Sequence, residues 1–153
     1  MGWGKGGTKF LEPIATIARK LDNPTILDYG CGKGKLVEAL NQIGYWTVGY
    51  DPCHPDWNQE PEPADLLVST DVLEHIEPAC LRDVLFHMED LAGKAAFLVV
   101  SKVPAVKILP DGRNAHLIVE DTEWWLNTLS YHFPGIQVRD DRRTTVEFTW
   151  VRG

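Results

Sequence analysis

The sequence predicts one α/β domain: a three-layer sandwich with a mostly parallel sheet, helices on both faces and an antiparallel strand pair closing it. Three observations carry this. Short apolar runs alternate with segments of helical periodicity between Thr25 and Ser101. Gly30, Gly32 and Gly34 cluster where the first strand should hand over to a helix. The last apolar stretch, Thr144 to Val151, alternates Val146, Phe148 and Trp150 with polar residues and comes after another strand-like run, Ile136 to Asp140. With 153 residues, 44% of them hydrophobic and 24% charged, residues 1–153 are expected to form a single folded unit.

In chain order, residues 1–8 are glycine-rich and expected to be flexible. Phe10, Ile14, Ile17 and Leu21 recur at helical spacing from Thr8 to Leu21, and Asp22, Asn23 and Pro24 stop that helix. Thr25 to Tyr29 reads as a buried strand. Leu36, Val37, Leu40 and Ile43 define the next helix face, closed by Gly44. Trp46 to Tyr50 is the second strand. Residues 52–64 hold four prolines and no periodicity, so they are expected to form a loop. Asp65 to Ser69 is a strand, and Pro78 to Leu91 a helix with Leu81, Val84, Leu85, Met88 and Leu91 on one face. Ala95 to Ser101 is the most hydrophobic strand and is expected at the centre. A long polar connection, 102–120, leads to a helix capped by Asp121 or Thr122, with Trp125, Leu126 and Leu129 turned inward.

The glycine cluster carries the strongest chemical signal. Leu27-Asp28-Tyr29-Gly30-Cys31-Gly32-Lys33-Gly34 lies between a strand end and a helix start, where nucleotide-type ligands bind. The spacing is GxGxG rather than GxGxxG. Asp28 would repel a pyrophosphate, but it suits a ligand with a positive amino group and no phosphates. S-adenosylmethionine, with an ammonium and a sulfonium, fits that charge pattern better than NAD. Asp51, at the end of the second strand, can accept hydrogen bonds from ribose hydroxyls. The plainer alternatives are a glycine turn without a ligand and an Asp that only shapes a turn.

At these residues the chain resembles the class I S-adenosylmethionine-dependent methyltransferases, whose fold is Rossmann-like. The resemblance runs from Ile26 to about Ser101: LDYGCGKG resembles the first family motif, GYDP the second, and ADLLVSTDVLEHI the fourth-strand segment. It implies that Asp28, Gly30, Gly32 and Gly34 hold the methionine part and Asp51 the ribose. Asp71 and Val72 would line the cofactor near the reacting centre. The chain departs from the family between Asp51 and Asp65, where too few residues remain for the usual third strand and its helices. Pro52, Cys53 and Trp57 are then candidates to flank the adenine.

Methyl transfer needs a base only if the acceptor must lose a proton early. Glu74 and His75 come after the Asp65–Ser69 strand and either could serve, or both could merely cap the adjoining loop and helix. In the 102–120 connection, Arg113, Asn114 and His116 offer an anion-binding group, an amide and an imidazole; a β-turn at Pro110-Asp111-Gly112 with a salt-bridged Arg113 is the simpler reading. His116 is the third candidate catalytic group, and Arg113 and Asn114 are candidate substrate contacts. Trp124 and Trp125 are adjacent and cannot both face the core, so Trp124 is a candidate wall of the acceptor site.

The net charge of −7 disfavours non-specific nucleic-acid binding. Lys5 with Lys9, and Arg139 with Arg142 and Arg143, are local basic spots that read best as solvated surface. Three cysteines without a CxxC pair give no disulfide or zinc framework, and Cys53-His54-Pro55-Asp56 is not completed into a metal set elsewhere in the sequence. No apolar run approaches the roughly 20 residues of a membrane span. These features predict a soluble cytoplasmic protein with no metal. The expected function is methyl transfer to a small molecule or to an exposed group on a larger one. A non-catalytic cofactor-binding module or partner subunit, and a nicotinamide-dependent oxidoreductase, are the alternatives. An open sheet edge, left where the third strand is missing, would invite dimerisation.

Overall fold

A computed structural model describes residues 7–153. Most of the segment expected to be flexible, together with Trp3 and Lys5, lies outside the described residues. Gly7 to Phe10 form a 3-10 turn that leads directly into α1 (Leu11–Arg19). The remaining elements are β1 (Ile26–Tyr29), α2 (Lys35–Gln42), β2 (Thr47–Tyr50), β3 (Ala64–Thr70), α3 (Leu81–Leu91), β4 (Ala92–Ser101), α4 (Thr122–His132), β5 (Gln137–Asp141) and β6 (Thr145–Val151).

The six strands form one sheet in the order β2-β1-β3-β4-β6-β5. β2, β1, β3 and β4 run parallel, and β6 pairs antiparallel with both β4 and β5. The sheet is therefore abridged as the short 52–64 loop predicts: β2 stands at the edge, with Val48 and Trp46 exposed.

Strands covered on both faces are apolar at nearly every position, because successive side chains point to opposite sides. On one face Ile26, Leu66, Val68, Phe97 and Val99 meet Ile14 and Ala18 of α1 and Leu36 and Leu40 of α2. On the other, Leu27, Leu67, Ala96, Leu98 and Phe148 meet Leu85 and Met88 of α3 and Trp125 and Leu129 of α4. Each such large side chain, fully buried, contributes about 1.5–3 kcal/mol.

Asp121 caps α4, its carboxylate accepting from the Trp124 N–H at 2.8 Å. Two details differ from the sequence expectation. Ile43 lies past the end of α2 and is exposed. β4 begins at Ala92, three residues early, because α3 passes into it without a loop. Gly93 permits this passage: a Cβ there would stand 2.9 Å from the Ala64 carbonyl oxygen. No described helix is long and apolar enough to cross a membrane.

Candidate active site

The carboxyl ends of β1, β2 and β3 converge on the glycine loop. Gly30, Gly32 and Gly34 have φ of +82°, +56° and +78°, a region that side chains other than glycine's adopt only at a cost. That conformation lets the Gly30 and Cys31 N–H groups donate to the Tyr50 carbonyl, at 2.7 and 3.1 Å, tying β1's exit to β2's. Space demands glycine as well. A Cβ on Gly30 would collide with both Val72 methyl groups, and one on Gly34 would stand 2.6 Å from the Trp57 ring. The 52–64 loop thus folds back so that Trp57 packs over the glycine turn.

Asp51 organises the rest. Its Oδ2 accepts from the Gly32 N–H and its Oδ1 from the Cys53 N–H, both at 2.9 Å, while its own N–H donates to the Trp57 carbonyl at 2.9 Å. Each oxygen keeps a further lone pair. Pro52 comes next, exposed to solvent. Asp28 is buried beneath the loop, and burial, with the Asp51 charge second, pushes its carboxyl up to about 7. The Cys31 thiol, pushed up to about 12 by burial and by the same two acids, is no nucleophile.

Asp71 follows β3 with φ +57°, a strained conformation that Asp tolerates better than most residues, and its carboxylate faces Lys9 at 3.9 Å. Val72 lies over Gly30. A single 3-10 turn, Leu73 to His75, then presents Glu74 and His75. Glu74 is fully buried: Oε1 accepts from the Ser101 N–H at 3.1 Å, and Oε2 has no hydrogen-bond partner. Burial, with the Asp71 charge adding, pushes its carboxyl up to about 8, so at neutral pH it is mostly protonated and unsuited to act as a base by itself. Burial also lowers His75, with the neighbouring His116 and Lys107 adding to the effect.

The 102–120 connection is ordered by side chains. Residues 107–115 form a small hairpin through the Ile108–Asn114 bridge, with its turn at Leu109 to Gly112. Asn114 pins it: Oδ1 accepts from the Ala105 and His116 N–H groups, and Nδ2 donates to the Ala105 carbonyl, all at 2.9 Å. Arg113 forks onto Glu77 at 2.7 and 2.9 Å and reaches Asp111 at 2.8 Å. The hairpin docks on the turn after β3, because His75 Nδ1 donates to the Ala115 carbonyl at 2.9 Å and the Ile118 N–H donates to the Glu74 carbonyl at 3.1 Å. His116 comes to rest edge-on against His75, ring centroids 4.7 Å apart, with its Nδ1 donating to the Val103 carbonyl at 2.6 Å.

The three candidate catalytic residues are therefore neighbours: Glu74 and His75 on the turn just after Asp71 and Val72, and His116 brought against His75 from the 102–120 connection. The candidate substrate contacts fare differently. The polar atoms of Arg113 and Asn114 meet Glu77, Asp111 and the backbone of Ala105 and His116. Trp124, edge-on against Trp125, lines a groove between α3 and α4 with Leu81, Leu117 and Tyr131, and no glycine-loop residue lines that groove. Sequence reasoning did not find the chain from the Tyr29 hydroxyl to His87 at 2.7 Å and on to Glu60 at 2.6 Å, which fastens the helix-less crossover to α3. Within the basic spots, Lys9 pairs with Asp71 at 3.9 Å, Arg139 with Glu147 at 2.9 Å and Arg142 with Asp140 at 2.8 Å.

The fold is shared with solved methyltransferases. Magnesium protoporphyrin IX methyltransferase from Synechocystis, solved with S-adenosylhomocysteine, is 17% identical with a TM-score of 0.64, over 96% of this chain and 84% of that one. The 1,6-didemethyltoxoflavin-N1-methyltransferase of Burkholderia thailandensis is 18% identical with a TM-score of 0.63, over 93% and 77%. An S-adenosylmethionine-dependent methyltransferase from Archaeoglobus fulgidus is 14% identical with a TM-score of 0.59, over 93% and 94%. No curated protein matches the chain. A methyltransferase-domain family model matches residues 6–136. That match spans most of the chain and includes the whole glycine loop, so the chain belongs to the methyltransferase-domain family and is a class I S-adenosylmethionine-dependent methyltransferase.

Proposed function

We propose that this enzyme methylates a small molecule, or an exposed group on a larger one, at the carboxyl end of β3. One observation carries the reading of the cofactor site: the glycine loop with positive φ, tied to Asp51 and set above the buried Asp28. The donor set fits the cofactor. Asp28 and the glycine-loop backbone would hold its amino acid part, Asp28 and Asp51 giving an ammonium or sulfonium the counter-charge it needs. Asp51, with lone pairs to spare, would accept from the ribose hydroxyls, and Pro52 and Trp57 would flank the base. When bound, S-adenosylmethionine supplies a methyl group on a positive sulfur that leaves as a neutral thioether.

The chain's own residues then have to orient the acceptor, exclude water and deal with any proton it loses. Asp71 and Val72 line the approach. The Glu74, His75 and His116 cluster is where an acceptor would be prepared, because it adjoins that approach and each neutral ring would offer its Nε2 lone pair. Net charge of −7 and the acid-paired arginines argue against a nucleic-acid acceptor.

Calorimetric titration with S-adenosylmethionine, S-adenosylhomocysteine and NAD tests the cofactor assignment. The two sulfur ligands should bind one per chain and NAD should not, and Asp51→Ala should weaken binding by about 1–3 kcal/mol. Silence from both sulfur ligands in a folded sample would overturn the assignment, and unchanged affinity in Asp51→Ala would remove Asp51 from it.

A further inference from the structure

Glu74, His75 and His116 each offer one ligand atom, and these atoms all lie within 4.8 Å of one another. Their orientation is fixed from outside. His75 Nδ1 meets the Ala115 carbonyl at 2.9 Å and His116 Nδ1 meets the Val103 carbonyl at 2.6 Å. A carbonyl oxygen can only accept, so both rings carry a proton on Nδ1, and each ring when neutral has its lone pair on Nε2. Metal-binding imidazoles are held this way, with the second nitrogen donating to a backbone carbonyl or carboxylate. Glu74 completes the pattern: the Ser101 N–H holds Oε1, and Oε2 is buried with no hydrogen-bond partner.

A buried carboxyl oxygen without a hydrogen-bond partner is costly, and the two neutral imidazoles grouped with it bring lone pairs on Nε2. A cation at the centre of the cluster would meet all three ligand atoms and hold Glu74 ionised. The Asp71 carboxylate acts on both Glu74 and His75, opposed by Lys9 at Glu74 and by Lys107 at His75. We propose that Glu74, His75 and His116 form a binding site for a divalent transition-metal cation. Two nitrogens and one carboxylate oxygen suit Mn²⁺, Fe²⁺, Co²⁺ or Zn²⁺ better than Ca²⁺ or Mg²⁺, which favour oxygen sets. Metal–ligand bonds of about 2.1 Å would draw the three side chains inward. Three protein ligands leave coordination positions open for water or for an oxygen of the acceptor. Only this last use, presenting an acceptor oxygen for methylation, rests on the function proposed for the enzyme; cation binding does not.

The test is titration of the untagged full chain with CoCl₂, tracked by the visible absorption of Co²⁺ and by calorimetry. One equivalent should bind, and His116→Ala and Glu74→Gln should each weaken binding by about tenfold or more with an unchanged circular dichroism spectrum. His54→Ala, which alters the separate Cys53-His54-Asp56 loop, should bind as the parent does. Absence of saturable binding, binding indifferent to both His116→Ala and Glu74→Gln, or binding lost in His54→Ala would each overturn the site. S-adenosylmethionine titrated into the same samples keeps the two readings apart. Its binding without Co²⁺ binding sinks the metal site alone, and Co²⁺ binding without it upholds the metal site while removing the cofactor assignment.

Discussion

The glycine loop and the hairpin at 107–115 are both fixed at the candidate active site, yet they are held by different physics. In the glycine loop the restraint is the backbone itself: three residues at positive φ, with Val72 and Trp57 filling the volume that side chains would need. In the hairpin the restraint is side-chain hydrogen bonding, with Asn114 inside it and His75, His116 and Arg113 anchoring it to the turn after β3. A backbone restraint admits almost no substitution at its own positions. A side-chain network spreads the load, so losing one member loosens the element without abolishing it.

Gly30→Ala should separate the two most sharply. The added methyl meets Val72 in a conformation already unfavourable for alanine, which should cost about 2–4 kcal/mol of stability. Chemical denaturation measures that, and calorimetry should find S-adenosylmethionine binding abolished; a variant as stable and as tight as the parent would mean that the loop adapts.

Asp28→Asn should have an intermediate effect with a definite pH signature. In the fold its carboxyl sits at about 7 against 3.8 in the unfolded chain, so the fold holds the proton more tightly. The protonated form's stability is complete below about pH 4 and is lost as pH rises through 7. Asparagine stays neutral throughout. The variant should therefore be more stable than the parent at pH 8, by about 1–3 kcal/mol, with the difference closing toward pH 4. At pH 8 it should also bind S-adenosylmethionine about tenfold or more weakly, a loss of roughly 1.4 kcal/mol. Equal melting curves for the two proteins at pH 8 would remove the buried charge from the picture.

Asn114→Ala should do least to the whole molecule. Losing its three bonds should loosen residues 103–118 by about 1–3 kcal/mol. Hydrogen exchange should show faster opening of that segment, with S-adenosylmethionine affinity unchanged. Loss of cofactor affinity would mean that hairpin and glycine loop are coupled.

The same difference decides what the sequence discloses. Gly30, Gly32 and Gly34 announce their loop because the restraint is local: glycine adopts those angles at least cost, and the pattern can be read from eight consecutive residues. The strands are legible for a similar reason, since burial on both faces writes mostly apolar runs into β1, β3 and β4, broken in β1 by the buried Asp28. The abridged sheet is implied by the length of one proline-rich loop. A salt-bridged Arg113 is readable as the simpler case, but neither its pairing with Glu77 nor the turning of the Asn114 amide to its own backbone is. Whether an amide faces a ligand or its own backbone depends on where the chain folds back. The meeting of His75 with the segment around His116 spans 40 residues of sequence and leaves no spacing that marks it. Gly93 was hidden too, because the reason for a glycine there is the Ala64 carbonyl on a neighbouring strand.

The position of β6 bears on the order in which the sheet can be completed. It belongs to the last hairpin in the chain but lies inside the sheet, between β4 and β5, where Val146, Phe148 and Trp150 join the core. The β5–β6 pairing closes over a few residues and can form quickly, whereas the parallel pairings of β1, β3 and β4 must wait for distant segments to meet. Until β6 docks, β4 presents a long, apolar, unpaired edge to other chains. The step that completes this fold is therefore also the one that guards it against association during folding.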